Sequence, residues 1–137
     1  MKTTAADRWF SLAVRQRAEW KCERCQKWHG PGRGLDCAHI IGRGKWATRH
    51  DPRNAIALCR GCHAYFTAQP NEFAEWLENR LGEVVLSELR EMARDANLAK
   101  RAHHEEKEMA TFYKNEYECG TCNSYFEGAR DGADTGW

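Results

Sequence analysis

The chain has 137 residues and a mass of 15.8 kDa, enough for one domain of ordinary size and too little for two. Mean hydropathy is -0.82, yet six Trp, four Tyr and five Phe exclude the aromatic-poor composition of a disordered chain. The formal net charge of +1 conceals a division: 13 Lys and Arg face 5 Asp and Glu in residues 1–70, a balance of +8, and 8 face 15 in residues 71–137, a balance of -7, so a polyanionic partner is expected for the first half only.

No apolar stretch approaches the roughly 20 residues of a bilayer span, and the opening MKTTAADRWF lacks the apolar run of a secretory signal. A soluble, cytoplasmic protein is expected. Thr3 and Thr4 can cap a helix over residues 5–20, with Trp9, Leu12, Ala13, Gln16 and Trp20 near one face and Arg8, Arg15 and Glu19 off it. Residues 26–34 read as a loop, 35–41 as a short β run closed by Gly42 and Gly44, and 45–53 as irregular, with His29 and His50 exposed in loops. A second apolar run, 55–58, ends at Cys59. A helix from near Gly61 then carries His63, Tyr65 and Phe66, and Pro70 and Asn71 break it and start another that Gly82 stops. In the next stretch Val85, Leu89, Met92, Ala96 and Ala99 keep a helical period. Beyond Lys100 the sequence is polar all round, so this part is expected to project into solvent. The organisation predicted is a core over residues 1–82, a helical extension over 83–114, and an acidic, partly flexible tail over 115–137.

Six of the seven cysteines fall in Cys-x-x-Cys pairs, and without an export signal metal binding is a better reading than disulfides. Cys22, Cys25, Cys59 and Cys62 suit a structural Zn²⁺, since each pair makes a tight knuckle that turns both sulfurs inward. The 33 residues between the two pairs exceed the usual spacing of a zinc ribbon, so a functional insert is expected there. Cys119 and Cys122 form a third pair with no partner pair, His103 and His104 being the nearest candidates. Cys37 reads as a small core residue.

The insert contains His39 on the first β run and Asn54 before the second, and His63 directly follows the last cysteine. Hydrolysing a phosphodiester requires a base to activate water, a cation to neutralise the phosphate, and a scaffold that fixes both. The string Cys22-x-x-Cys25, Ala38-His39-Ile40-Ile41, Asp51-Pro52-Arg53-Asn54, Leu58-Cys59-x-x-Cys62-His63 resembles the HNH endonuclease family, in particular its four-cysteine branch common in phages, over residues 9–82. That resemblance implies an α+β fold with a small ββα-metal core, a structural zinc site of four cysteines and flanking helices. It also implies His39 as general base, Asn54 holding the hairpin loop, His63 as ligand of a catalytic Mg²⁺ or Mn²⁺, and a phage or prophage origin in a bacterial cell. Relatives often carry Asp or His just before the base, where this chain has Ala38. Asp36, two residues earlier on the same side of a strand, is the expected replacement ligand.

Arg43, Lys45, Arg49 and Arg53 form a basic loop expected to clamp the DNA backbone. The resulting expectation is a metal-dependent DNA endonuclease. The alternative is a non-catalytic, zinc-stabilised DNA-binding or adaptor module in which Ala38 records lost activity. The acidic helical half is a candidate surface for a phage or host protein.

Overall fold

The computed structural model describes residues 1–31 and 34–120. Thr4 caps the first helix, α1 (Ala5–Arg17): its hydroxyl accepts from the Asp7 N–H while the Asp7 carboxylate accepts from the Thr4 N–H. This reciprocal pair satisfies two donors that a helix N-terminus otherwise leaves open. The buried face is Ala6, Phe10, Ala13, Val14 and Arg17 rather than the predicted Trp9, Leu12 and Gln16, which are half-buried. α1 also ends at Arg17 instead of residue 20, because Glu19 and Trp20 take left-handed φ values of 55° and 62°. Each such residue costs roughly 1–2 kcal/mol. The turn is held by Glu23, whose N–H donates to the Ala57 carbonyl at 2.8 Å and whose carboxylate accepts from the Ala57 N–H and from Arg80, each at 2.7 Å.

Strands β1 (Leu35–His39) and β2 (Ala55–Cys59) form an antiparallel two-stranded sheet in the register Leu35↔Cys59 to His39↔Ala55. β1 stops two residues before the predicted end because the Ile40 and Ile41 N–H groups turn to the Asn54 carbonyl and the Asn54 Oδ1. Between the strands, a segment predicted irregular folds into a short helix, α2 (Trp46–Arg49), and a 3₁₀ turn (Pro52–Asn54). Helix α3 (Arg60–Ala68) follows β2 directly, completing a β–β–α unit within an α+β fold.

Alternation along the strands divides the core between the two sheet faces. Ala38, Ile56 and Leu58 join Phe66, Leu77 and Leu86 on one side; Ala55 and Cys37 join Phe10, Val14 and Tyr113 on the other. β2 is therefore covered on both faces, which is why the continuous run Ala55-Ile56-Ala57-Leu58 is buried throughout.

The remaining chain forms α4 (Pro70–Leu81), α5 (Glu83–Arg94), α6 (Ala96–His104) and α7 (Glu106–Cys119). The stretch read as one helix from residue 85 breaks at Asp95, whose side chain caps α6 through the Leu98 N–H. The part beyond Lys100 does not project. α6 packs on α2, and α7 lies along α1 with Tyr113 fully buried, its ring 4.9 Å from that of Phe10 and its hydroxyl donating to the His50 carbonyl at 2.7 Å. Met109, Tyr113 and Tyr117 recur every four residues and give α7 an apolar stripe that the surrounding charges mask in the sequence. α7 also carries the helix to Cys119, into the region read as tail. Cys122 lies outside the described residues, and with it the third cysteine pair. No described helix is long and apolar enough to cross a membrane.

Candidate active site and zinc centre

The first cysteine pair follows the turn after α1, and the second spans the junction of β2 and α3. Their four Sγ atoms all lie within 4.8 Å of one another, with Cys25 and Cys59 at 4.0 Å. A tetrahedral Zn²⁺ with bonds of about 2.3 Å has sulfur–sulfur edges of roughly 3.8 Å, so the four fit that ion. Backbone N–H groups of Cys25 and Cys62 point at the Cys22 and Cys59 sulfurs at 3.5 and 3.4 Å, and Arg24 donates to Cys62 Sγ at 3.4 Å. These donors suit thiolates, which accept where thiols bond weakly.

At the end of β1, His39 Nε2 lies 2.9 Å from the Arg49 carbonyl. A carbonyl only accepts, so Nε2 carries the proton and the lone pair is left on Nδ1. Burial, the largest influence, lowers the pKa of His39, and Arg43 and His50 act in the same direction against the Arg49 carbonyl. The ring is thus a neutral base at pH 7.

Asn54, fully buried, organises the loop that presents that carbonyl. Its Nδ2 donates to the Ile41 and Thr48 carbonyls at 2.9 and 3.0 Å, and its Oδ1 accepts from the Ile41 N–H at 2.8 Å. The two bonds to Ile41 join the ends of the loop between β1 and β2, and the bond to Thr48 ties its middle to the same residue.

A cleft of about 670 Å³ lies between α1, β1 and the start of α3, and His39, Asp36 and His63 all line it. Asp36 Oδ2 and His63 Nδ1 are 3.0 Å apart and partly exposed. That is a hydrogen-bonding distance, and adjacent oxygen and nitrogen ligands of a hard divalent ion with bonds near 2.1 Å are also about 3 Å apart, so the pair could hold such an ion. Ala38, 2% exposed, packs in the core and offers no ligand.

A residue that sequence reading passed over lies beneath this site. Asp7 is 7% exposed and accepts from Arg49 Nε and Nη2 at 2.9 and 2.6 Å, and it lies 2.8 Å from His50 Nε2 and 3.3 Å from Arg43 Nη1. Burial pushes its pKa up, but Arg49, the Thr4 N–H and His50 outweigh that and hold it well below the usual carboxylate range. Asp7 thereby fixes Arg49 by its side chain while the Arg49 carbonyl orients His39. Nothing in the sequence marks this beyond Asp7's place as a helix cap.

The same network corrects two expectations. Arg49 is 2% exposed and bound to Asp7, so its guanidinium is not on the surface to clamp DNA; His50 is 7% exposed and buried rather than free in a loop. Arg53 is held by Asp51 at 3.0 Å and by Glu88 at 3.0 Å. Arg43 lines the cleft, and Lys45 is exposed outside it. The cleft brings in Arg8, Arg15 and Arg60, which sequence reading did not assign to the site. Arg8 and Arg15 are seven residues apart, a spacing that places them on one helix stripe and that was visible beforehand.

No curated protein and no solved structure matches the chain. Residues 21–69 match the family model HNH_2, described as HNH endonuclease. The match takes in both cysteine pairs, the sheet and α3, and leaves α1 and α4 to α7 outside it. The segment holding His39, Asn54 and His63 is therefore similar to the HNH endonuclease family.

Proposed function

We propose that the chain is a divalent-metal-dependent endonuclease that hydrolyses phosphodiester bonds in DNA, with Zn²⁺ on Cys22, Cys25, Cys59 and Cys62 as a structural ion. The observation that carries this reading is the shared cleft, in which a His39 ring with its proton held on Nε2 stands with the Asp36–His63 pair. His39 Nδ1 takes the proton from a water as that water attacks phosphorus. The P–O bond on the opposite side breaks, and the leaving 3′ oxygen is protonated from solvent, giving a 5′-phosphate and a 3′-hydroxyl. Asp36 and His63 would hold Mg²⁺ or Mn²⁺, which supplies charge neutralisation at the phosphate and the leaving oxygen. Asn54 keeps the loop, and hence the Arg49 carbonyl, in place. The neutral, half-buried His39 needs no prior deprotonation at pH 7.

The test is nicking of supercoiled DNA by zinc-loaded protein with added Mg²⁺ or Mn²⁺. His39→Ala abolishes cleavage while DNA binding persists. His63→Ala and Asp36→Ala lose rate and regain part of it at higher metal concentration, as ligand changes do. Wild-type protein that binds DNA and cuts with neither ion refutes the reading and leaves a zinc-stabilised DNA-binding module, with Ala38 as the lost ligand.

A further inference from the structure

We propose that α1, which lies outside the matched segment, supplies the phosphate-binding wall of the cleft. Arg8 and Arg15 grip the DNA backbone there together with Arg60 at the start of α3, and the loop arginines Arg49 and Arg53 do not. The proposal rests on the nuclease reading and specifies how that site holds its substrate.

Three observations carry it. First, the arginines of the chain divide by what holds them. Arg49 and Arg53 are committed to Asp7 and to Asp51 and Glu88. Among the described residues Arg8 is exposed with no ion pair, and the half-buried Arg15 donates only to the Ser11 carbonyl and leans over Trp20. Arg60 is 78% exposed and 3.8 Å from Asp36. A guanidinium that already has a carboxylate gives up that pairing to meet a phosphate, whereas a free one does not.

Second, Arg8 and Arg15 line the same cleft as His39 and His63, and so does Arg60, whose 3.8 Å contact with Asp36 is long and solvent-exposed on the arginine side. Seven residues of helix place Arg8 and Arg15 on one stripe roughly 10 Å apart along α1. Two aspartates share the lining, but Asp7 is neutralised by Arg49 from below, and Asp36 faces His63 where the catalytic cation is proposed.

Third, α7 meets α1 on a side away from this wall. α7 meets α1 through Ala6, Trp9 and Gln16, which contact Glu106 and Tyr117. At 100° per residue that face lies roughly 120° around the helix from the Arg8–Arg15 stripe. The negative charge of α7 thus sits round the side of α1 away from the cleft, where it does not repel a phosphate backbone at close range.

The experiment measures salt dependence of binding to a labelled DNA duplex, with full-length, zinc-loaded protein in the His39→Ala background so that the probe is not cut. Each phosphate contact contributes about 0.9 to the slope of log affinity against log salt. Replacing Arg8 and Arg15 together by Gln lowers that slope by about 1.8, so between 50 and 200 mM salt the variant loses roughly 12-fold less affinity than its parent. In the active background the same pair raises KM and leaves kcat nearly unchanged. The charge-matched control, Arg90→Gln with Arg94→Gln on α5, leaves the slope unaltered. A slope unchanged by the Arg8 and Arg15 replacements but lowered by Arg43→Gln with Lys45→Gln overturns the proposal and leaves the nuclease reading standing. Protein that neither binds DNA at low salt nor nicks it overturns both.

Discussion

Replacing Asp7 by Asn keeps the shape of the side chain and removes one buried charge. The carboxylate uses both oxygens: Oδ1 accepts from Arg49 Nε and faces His50, and Oδ2 accepts from Arg49 Nη2 and from the Thr4 N–H. An amide presents one oxygen and one NH₂, so either orientation sets a donor against donors. It also leaves the Arg49 guanidinium, 2% exposed, without its counter-ion. Removing one partner of a buried pair costs about 3–5 kcal/mol, a large share of the roughly 5–15 kcal/mol that holds a domain folded. With a urea slope of about 2 kcal/mol per molar, the midpoint should fall by roughly 2 M. The assay is urea unfolding followed by circular dichroism at fixed, saturating zinc. Asp7 has a folded-state pKa below its usual 3.8, so its contribution is fully present above about pH 4 and is lost only as pH falls below that; the difference between wild type and variant should therefore be constant from pH 7 to 8.5. Adding Arg49→Met to the variant should recover much of the loss, because the orphaned charge is then gone. A variant within 1 kcal/mol of wild type would refute the reasoning. So would a variant whose loss Arg49→Met deepens.

Burial lowers the pKa of His39 below its usual 6.5, and a base acts unprotonated, so at saturating metal the cleavage rate should be level above pH 6.5 and fall only on its acid side; an acid limb centred above pH 7 in a rate profile would contradict this. Zinc binding in small domains contributes about 10–16 kcal/mol, comparable with the whole stability of the fold, so chelation or Cys22→Ser should unfold the module, as read by circular dichroism and one equivalent of released zinc. Asn54→Asp sets a carboxylate oxygen where Nδ2 now faces the Ile41 and Thr48 carbonyls. It should cost about 3 kcal/mol in thermal or urea unfolding and reduce kcat by loosening the loop behind His39.

The segment from Cys22 to His63 was readable because its signals act between near neighbours. A Cys-x-x-Cys knuckle closes on itself, Asn54 answers a loop only a few residues away, and alternation along a strand puts Asp36 on the face opposite His39. The β–β–α order follows from two short apolar runs and a helix start at the second knuckle. What the sequence left open depends on partners far away in the chain. A row of arginines in a loop looks the same whether each meets a phosphate or a carboxylate. Arg49 lies 42 residues from Asp7, and only the packing of α1 against the loop turns that arginine from a surface charge into a buried strut behind His39. The buried face of α7 is hidden in the sequence for a related reason: Met109 and Tyr113 are too few to announce an apolar face until α1 offers Phe10 and Trp9 to receive them. Local spacing determined the cysteine knuckles and the order of the β–β–α unit, whereas burial, a property of two surfaces meeting, decided which charges are structural and which stay exposed.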